Sequence, residues 1–416
     1  MSTTLIWLIA AAAIAGVLFR PKGWPEAVWA CLGALILLLS GLLPLSQAGA
    51  AVAKGSDVYL FLTGMMLLSE LARRQGVFDW LASLAVKAAR GSPRRLFLLV
   101  YLVGTAVTVF LSNDATAVVL TPAVYAAVKK AGTKTLPYLL ICAFIANAAS
   151  FVLPISNPAN LVVYGKHLPA LLRWLRTFLV PSICSILATY AALRWISRRD
   201  LEGVVENISN AADLSKEGRL AAWGIVATGA LLMGASSFGL DLGLPTCISA
   251  AVAVVVVTKA KGKALVGISK GVSWSVLPLV AGLFVLVEAV NRAGALRELA
   301  SVLDNCARMP EVWGSMAASF GIAGLSNLVN NLPSGLLAGG ALQTIRDSPH
   351  VRDAVLIGVD LGPNLSVSGS LATVLWLIVL RREGEDISAW EFLKTGLLVM
   401  PPALFLASLA VSLLSQ

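Results

Sequence analysis

The sequence predicts an all-α polytopic membrane protein made of two inverted repeats, with about ten spanning helices, two re-entrant helical hairpins and discontinuous helices. Three observations lead there. The 416 residues are 58% hydrophobic and 13% charged, whereas soluble domains carry about 25% charged residues. Apolar runs long enough to cross a bilayer as helices, about 20 residues each, recur along the whole chain. Four of these runs are interrupted by short polar, helix-breaking stretches, which form two sets about 214 residues apart.

The first run, 4–19, has no basic flank ahead of it, and its first positive charges, Arg20 and Lys22, come after it. It reads as a retained helix with its N-terminus outside rather than as a cleavable signal. Spans follow at 26–45 and 58–72. Segment 96–129 reads as a hairpin that enters and leaves on one side, with Leu111-Ser112-Asn113-Asp114 at its tip. Span 136–165 is broken at Pro154-Ile155-Ser156-Asn157-Pro158-Ala159-Asn160, and 177–196 closes the first half. The second half has spans at 220–238, 245–258 and 274–291, then a hairpin at 312–345 broken over 325–333. Span 351–380, broken over Gly362-Pro363-Asn364-Leu365-Ser366-Val367-Ser368-Gly369-Ser370, and a last span, 393–414, complete it. In domain terms, 1–199 is the first repeat with its N-terminal helices and 219–416 the second. Between them, 200–218 is a polar cytoplasmic linker with Gly203, Asn207, Ser209 and Asn210.

Charge placement supports this topology. With both termini outside, 23 of the 32 Lys and Arg residues fall in cytoplasmic loops, as the positive-inside rule expects. If 96–129 crossed instead, every later loop would invert and the bias would vanish. The repeat is also visible directly. Glu70 to Gly76 and Leu81-Ala82 match Glu288 to Gly294 and Leu299-Ala300, with Glu, Arg, Gly and Leu-Ala at the same relative places. The loop after the first copy carries a net charge of +5 over 73–95, and that after the second +1 over 292–308. Like sequence with opposite charge bias marks inverted repeats.

Unwound backbone at membrane depth persists only where protein buries it or it lines a watery cavity. Paired breaks in corresponding halves therefore point to the binding site of a secondary transporter. Other classes fit poorly. The net charge of +10 is spread over short loops, as orientation signals rather than a nucleic-acid surface. Cys31, Cys142, Cys184, Cys247 and Cys306 have no CxxC or CxxH spacing, so no disulfide framework, metal site or cofactor is expected. There is no GxxxxGK[ST] loop for an ATPase, and no GxSxG or HExxH for a membrane enzyme.

At its breaks the chain resembles the arsenite/antimonite efflux permeases, the ArsB family of the ion transporter superfamily. The resemblance rests on Leu111 to Ala117 with Leu120-Thr121-Pro122, on Ser156 to Leu161, and on Ser326-Asn327 with Asn330 to Pro333. It is most specific over Gly358 to Ser366 and Gly369 to Trp376, and it extends through Arg381-Arg382-Glu383-Gly384. It covers nearly the whole length. The resemblance implies export of As(III) or Sb(III) from the cytoplasm in exchange for protons, in a bacterial or archaeal plasma membrane. It also implies optional association with a cytoplasmic arsenite-stimulated ATPase, and it leaves the oligomeric state open.

Arsenite at neutral pH is the uncharged As(OH)3, which calls for short polar groups and free backbone rather than a fixed charge. Ser and Asn suit this because each donates and accepts, and half-helix ends add dipoles. The candidate contacts are Ser112, Asn113, Thr116, Asn157, Asn160, Ser326, Asn327, Asn330, Asn364 and Ser370. For each, the plainer alternative is polar bonding between helices, worth less than about 1 kcal/mol.

Proton exchange needs an ionisable group at membrane depth, where such groups are costly and functional by default. Asp114 and Asp360 are the candidates. Glu70 and Glu288, each four residues before an arginine, read instead as ion-paired helix ends. Cys142, a lone thiol, reads as packing, and His167 and His350 fall in expected external loops. Sodium/proton antiport on the same fold, with the aspartates as hard ligands, stays open. A dicarboxylate carrier would want a basic group at the breaks, where there is none.

Overall fold

The structure, a computed structural model, describes residues 2–165, 168–206 and 213–414. Among these residues it is helical throughout, without strands. The first series of helices is α1 (Ser2–Phe19), α2 (Glu26–Leu39), α3 (Leu45–Lys54), α4 (Ser56–Arg74), α5 (Val77–Ala89), α6 (Pro93–Phe110), α7 (Thr121–Lys130), α8 (Leu136–Ala148), α9 (Pro158–Tyr164) and α10 (Leu171–Ile196). The second is α11 (Lys216–Ser237), α12 (Gly243–Thr258), α13 (Gly262–Gly271), α14 (Val276–Arg292), α15 (Ala295–Arg308), α16 (Glu311–Val329), α17 (Asn331–Leu342), α18 (Pro349–Leu361), α19 (Leu371–Arg382) and α20 (Ala389–Leu414). The second series follows the order of the first, helix for helix.

Local chemistry sets the boundaries. Gly76 (φ 72°) and Gly294 (φ 103°) turn the chain between α4 and α5 and between α14 and α15, in the left-handed region that glycine adopts without strain. Proline opens α6, α9 and α18, where the missing N–H is no loss. Ser388 and Glu391 form a reciprocal cap at the start of α20. The Ser388 N–H donates to the Glu391 carboxylate (2.9 Å) and the Glu391 N–H to the Ser388 hydroxyl (3.1 Å).

The two series interlock. α2 packs on α14, α4 on α12 and α10 on α20. The contacts are matched: a Cβ on Gly64 would lie 2.6 Å from the Thr246 carbonyl, and one on its counterpart Gly282 would lie 2.8 Å from the Ala30 backbone. Small residues of this kind let membrane helices approach closely. Leu8, Phe19, Trp223, Phe238 and Leu413 face outward, as a lipid-facing surface requires.

The ten expected spans correspond to α1, α2, α4, α8 with α9, α10, α11, α12, α14, α18 with α19, and α20. α10, α11, α14 with the preceding α13, and α20 are each long and apolar enough to cross a membrane, and so are α6 and α16, the first arms of the hairpins. α3 and α4 together are also long and apolar enough, with a bend of 49° between them. The structure corrects several expectations. The expected span 26–45 ends at Leu39, and Leu45 begins a separate helix. The expected loops 73–95 and 292–308 contain α5 and α15. In α5, Val77, Phe78, Ala82, Ala85, Val86 and Ala89 are buried at helical spacing while the basic residues face out. His350 lies in the first turn of α18 rather than in a loop. His167, Asn207, Ser209 and Asn210 lie outside the described residues, as do the first and last residues of the chain.

Candidate functional site

The site forms where the two broken helices meet. In the first, α8 ends at Ala148 and the chain stays irregular until Asn157, whose extended backbone (φ −149°, ψ 131°) lets its side chain cap α9. In the second, α18 ends at Leu361, and two single turns, Gly362–Leu365 and Val367–Gly369, lead to Ser370, which caps α19 in the same way. Asn157 and Ser370 are equivalent in the two series. Their caps accept the N–H groups of Ala159 (3.0 Å) and Thr373 (3.1 Å).

Side-chain amides then join the breaks. Asn157 Nδ2 donates to Asp360 Oδ1 at 2.9 Å. Asn147 Nδ2 donates to Asn364 Oδ1 at 3.0 Å and to Thr373 Oγ1 at 3.4 Å. Asn364 Nδ2 donates to the Phe144 carbonyl at 3.0 Å. Asn160 points its amide back at its own break, to the carbonyls of Ser150, Leu153 and Pro154. Asp360, Asn147, Asn160 and Asn364 are fully buried. Among the described residues, Asp360 Oδ2, Asn147 Oδ1 and Asn160 Oδ1 nevertheless have no hydrogen-bond partner; the Ser150 hydroxyl, which faces Asp360, donates to the Asn147 carbonyl instead. A buried acceptor left unpaired costs about 1–3 kcal/mol, so this centre favours a ligand that brings donors.

Each hairpin tip docks on the break of its own series, by different means. At the first tip, Leu111 leaves helical geometry (φ −112°, ψ −81°) and Ala115–Leu120 is wound as a π-helix, a form frequent at functional sites. Ser112 Oγ accepts the Ala115 N–H (3.1 Å) and Asn113 Oδ1 the Asp114 N–H (2.9 Å). Thr116 shares a 2.8 Å bond with Thr108, and Ser156 donates to the Val109 carbonyl at 3.0 Å. Asp114 is part-buried, and its carboxylate has no hydrogen bond or ion pair among the described residues.

At the second tip the expected break over 325–333 shrinks to one residue. α16 stays helical through Ser326 and Asn327, and only Asn330 departs (φ 76°, ψ 154°). Asn327 Nδ2 donates to the Gly362 carbonyl (2.8 Å), and its Oδ1 accepts from Ser366 (2.6 Å). Ser368 donates to the Asn327 carbonyl (3.2 Å), and Asn330 Nδ2 to the Ser368 carbonyl (3.3 Å). Ser326 is buried, and its hydroxyl has no partner among the described residues.

The structure therefore brings Asn157 to Asp360, and Asn327 and Asn330 to the second break. Asn364 and Ser370 are linked through Asn147 and Thr373: Asn147 donates to both Asn364 and Thr373, and Thr373 bonds to Ser370. Ser112, Asn113 and Asp114 bond locally instead. Asn147 and Thr373 join the site from outside the breaks, and Ser366 and Ser368 lie within the second break but are not among the candidate contacts. One signal was present in the sequence: the offset that relates Asn157 to Ser370 also relates Asn147 to Asp360 and Asn160 to Thr373.

Outside the centre, Glu70 accepts from both Arg73 nitrogens (2.7 Å each) and from Arg74 (2.6 Å). Glu288 does not pair with Arg292. It meets Lys54 of α3 at 3.3 Å. Cys142 is buried, and its thiol points to the Tyr138 carbonyl at 3.8 Å. No Lys or Arg occurs in 96–128, 135–165, 309–345 or 353–380, so no side-chain cation is supplied by the breaks. The second tip adjoins a cavity of about 10 Å³, room for no more than about one water. A cavity of about 590 Å³ beside Trp80, Arg219 and Trp223 is formed by other elements.

Among known proteins, an arsenical pump membrane protein of Escherichia coli is 27% identical over 409 residues, and that of Yersinia enterocolitica 29% identical over 414. Each alignment covers 95% of both chains. An uncharacterized transporter of Mycobacterium tuberculosis is 26% identical over 85% of both chains. The crystal structure of the Alcanivorax borkumensis YdaH transporter shares the fold, with a TM-score of 0.58 at 17% identity, covering 93% of this chain and 97% of that one. The family described as citrate transporter matches residues 6–357, most of the length. The chain is a multi-pass membrane protein and belongs to that transporter family.

Proposed function

We propose that the protein exports arsenite and antimonite, As(OH)3 or Sb(OH)3, from the cytoplasm of a bacterium or archaeon in exchange for protons, by alternating access. The relatives named arsenical pump membrane proteins support the substrate. The observation that carries the reading is the set of unpaired buried acceptors, Asp360 Oδ2, Asn147 Oδ1 and Asn160 Oδ1, at a centre without Lys or Arg. As(OH)3 brings three O–H donors and no charge, which is what such acceptors lack. Citrate, which the family's description names, would bring three negative charges to a centre that offers a carboxylate and no cation.

In this reading Ser112, Asn113, Thr116, Asn157, Asn160, Ser326, Asn327, Asn330, Asn364 and Ser370 line the path or contact the substrate, and Asn147 and Thr373 join them. Asp114 and Asp360 exchange protons. An ionised carboxylate at membrane depth costs about 3 kcal/mol, more than one amide hydrogen bond returns, so alternating between the protonated and the ligand-bound form is favourable at Asp360. Residues 1–199 and 219–416 act as inverted repeats about a cytoplasmic linker, with both termini outside. A cytoplasmic ATPase is an optional partner. Sodium/proton antiport is the rival, because the same oxygens would suit a hard cation.

The test is arsenite uptake into everted vesicles with an imposed proton gradient and no ATP, for wild type, Asp114→Asn and Asp360→Asn. Gradient-driven uptake that either substitution abolishes is the expected result. A sodium-dependent pH change without arsenite flux would favour the antiporter, and competition by citrate would favour the carboxylate carrier.

A further inference from the structure

A second buried carboxylate lies on the same helix as Asp360. Asp353 is seven residues earlier on α18, which places it on the same face, two turns or about 10 Å away. It is 6% exposed, and the Tyr164 hydroxyl donates to its Oδ1 at 2.8 Å. Tyr164 is itself seven residues beyond Asn157, the residue that holds Asp360. α9 and α18 thus run antiparallel as a ladder with two polar rungs, Asn157–Asp360 and Tyr164–Asp353. Between the rungs α18 presents Leu356 and Ile357, both fully buried.

Beyond Asp353 the polar chain continues outward. Arg352 Nε lies 3.7 Å from Asp353 Oδ1, and Arg352 Nη1 lies 3.1 Å from Asp347. Side-chain exposure climbs from 9% at Asp353 to 30% at Arg352 and 81% at Asp347. Among the described residues, Tyr164 from α9, Arg173 from α10 and Arg352 from α18 are the titratable and charged groups that face Asp353. The equivalent position in the first series is Leu140, so the repeat itself does not demand a carboxylate here.

We infer that Asp353 is a second proton-carrying carboxylate, the outer station of the route whose inner station is Asp360. The inference rests on the proton-exchange reading above. A proton from the outer solvent forms an O–H bond on the Asp353 carboxylate. That bond breaks when water enters between Leu356 and Ile357, and the proton passes along the water to form an O–H bond on Asp360. Asp353 returns to carboxylate, and no electron is transferred. The dry gap insulates the two stations until the breaks move, so proton passage is tied to the conformational cycle. A purely structural Asp353 would only anchor Tyr164 and Arg352.

The two roles separate when drive and exchange are measured on the same vesicles. Exchange of labelled for unlabelled arsenite at equal pH needs the binding centre but no net proton transfer. Asp353→Asn should lower proton-gradient-driven arsenite uptake at least about tenfold while arsenite exchange stays within about twofold of wild type. Asp353→Glu should restore the drive, and Tyr164→Phe should shift the pH at which drive is half-maximal without removing it. Wild-type drive in Asp353→Asn would overturn the inference and leave the transport reading standing. Loss of exchange together with drive would also overturn it, by making Asp353 structural. Wild-type vesicles that exchange arsenite with no response to the gradient would remove the proton reading and this inference with it.

Discussion

The two broken helices share a layout but differ in charge. In the first, the residue facing the centre and the one two turns before it are Asn147 and Leu140. In the second they are Asp360 and Asp353. The hairpins differ in the opposite sense. The first tip is loosely held, wound as a π-helix, and carries the unpaired Asp114, whereas the second is laced to its break through Asn327 and Asn330. The repeat supplies a pair of neutral, amide-rich breaks. The carboxylates are additions, one set on each side of the pseudosymmetry. On the proposed reading, binding of a neutral ligand draws on both halves, while proton handling is asymmetric.

Asp360→Asn should break this asymmetry most strongly, abolishing gradient-driven flux by about a hundredfold or more. The double variant Asn147→Asp/Asp360→Asn sharpens the comparison, since it moves the carboxylate to the equivalent place. Partial recovery of drive in the vesicle assay would show that position within the centre, not the identity of the half, is what matters. Gly369→Ala should be next, because its Cβ would lie 2.6 Å from Pro363 Cα and 2.7 Å from Asn327 Oδ1. The overpacking should cost about 1–3 kcal/mol, seen as a lowered melting temperature in detergent.

Asn330 should show a graded effect. Its positive φ with extended ψ is a glycine-like geometry costing about 1–3 kcal/mol in other residues. Asn330→Gly should therefore melt at or above Asn330→Ala, although both lose the bond to Ser368. The smallest effect belongs to Glu288→Gln. Its pair with the exposed Lys54 is worth about 0–1 kcal/mol, whereas Glu70→Gln removes a buried carboxylate from two arginines and should lower the melting temperature clearly.

Much of this was legible because helix breakers in apolar runs are rare. Asn157, Asn364 and Ser370 stand beside prolines or glycines, and the charge bias separates hairpins from spans. Asn147 and Thr373 were hidden because each is a lone polar residue inside an otherwise regular helix, as in Tyr138 to Ser150, and only the contact across the two series shows its use. The position of the second break was misjudged because Ser326-Asn327 looks like the first tip. There, however, the Asn327 side chain bonds to Ala323 in its own helix and to Gly362, so the helix continues to Val329. α5 and α15 read as loops from their charged residues, although their apolar spacing is the stronger signal.

The interlock of the two series has a consequence for how the chain is made. Ala30 of α2 is covered by Gly282 of α14, so the partner of the second helix is synthesised some 250 residues later. At about 5–20 residues per second, that interval is roughly 10–50 s. Throughout it, the inner face of α2 stands in the membrane without α14, and that of α4 waits about 180 residues for α12. Insertion of the first half alone should thus yield a species that holds on to the insertion machinery, and a stop codon in the linker should give a protein that is degraded rather than one that carries half a function.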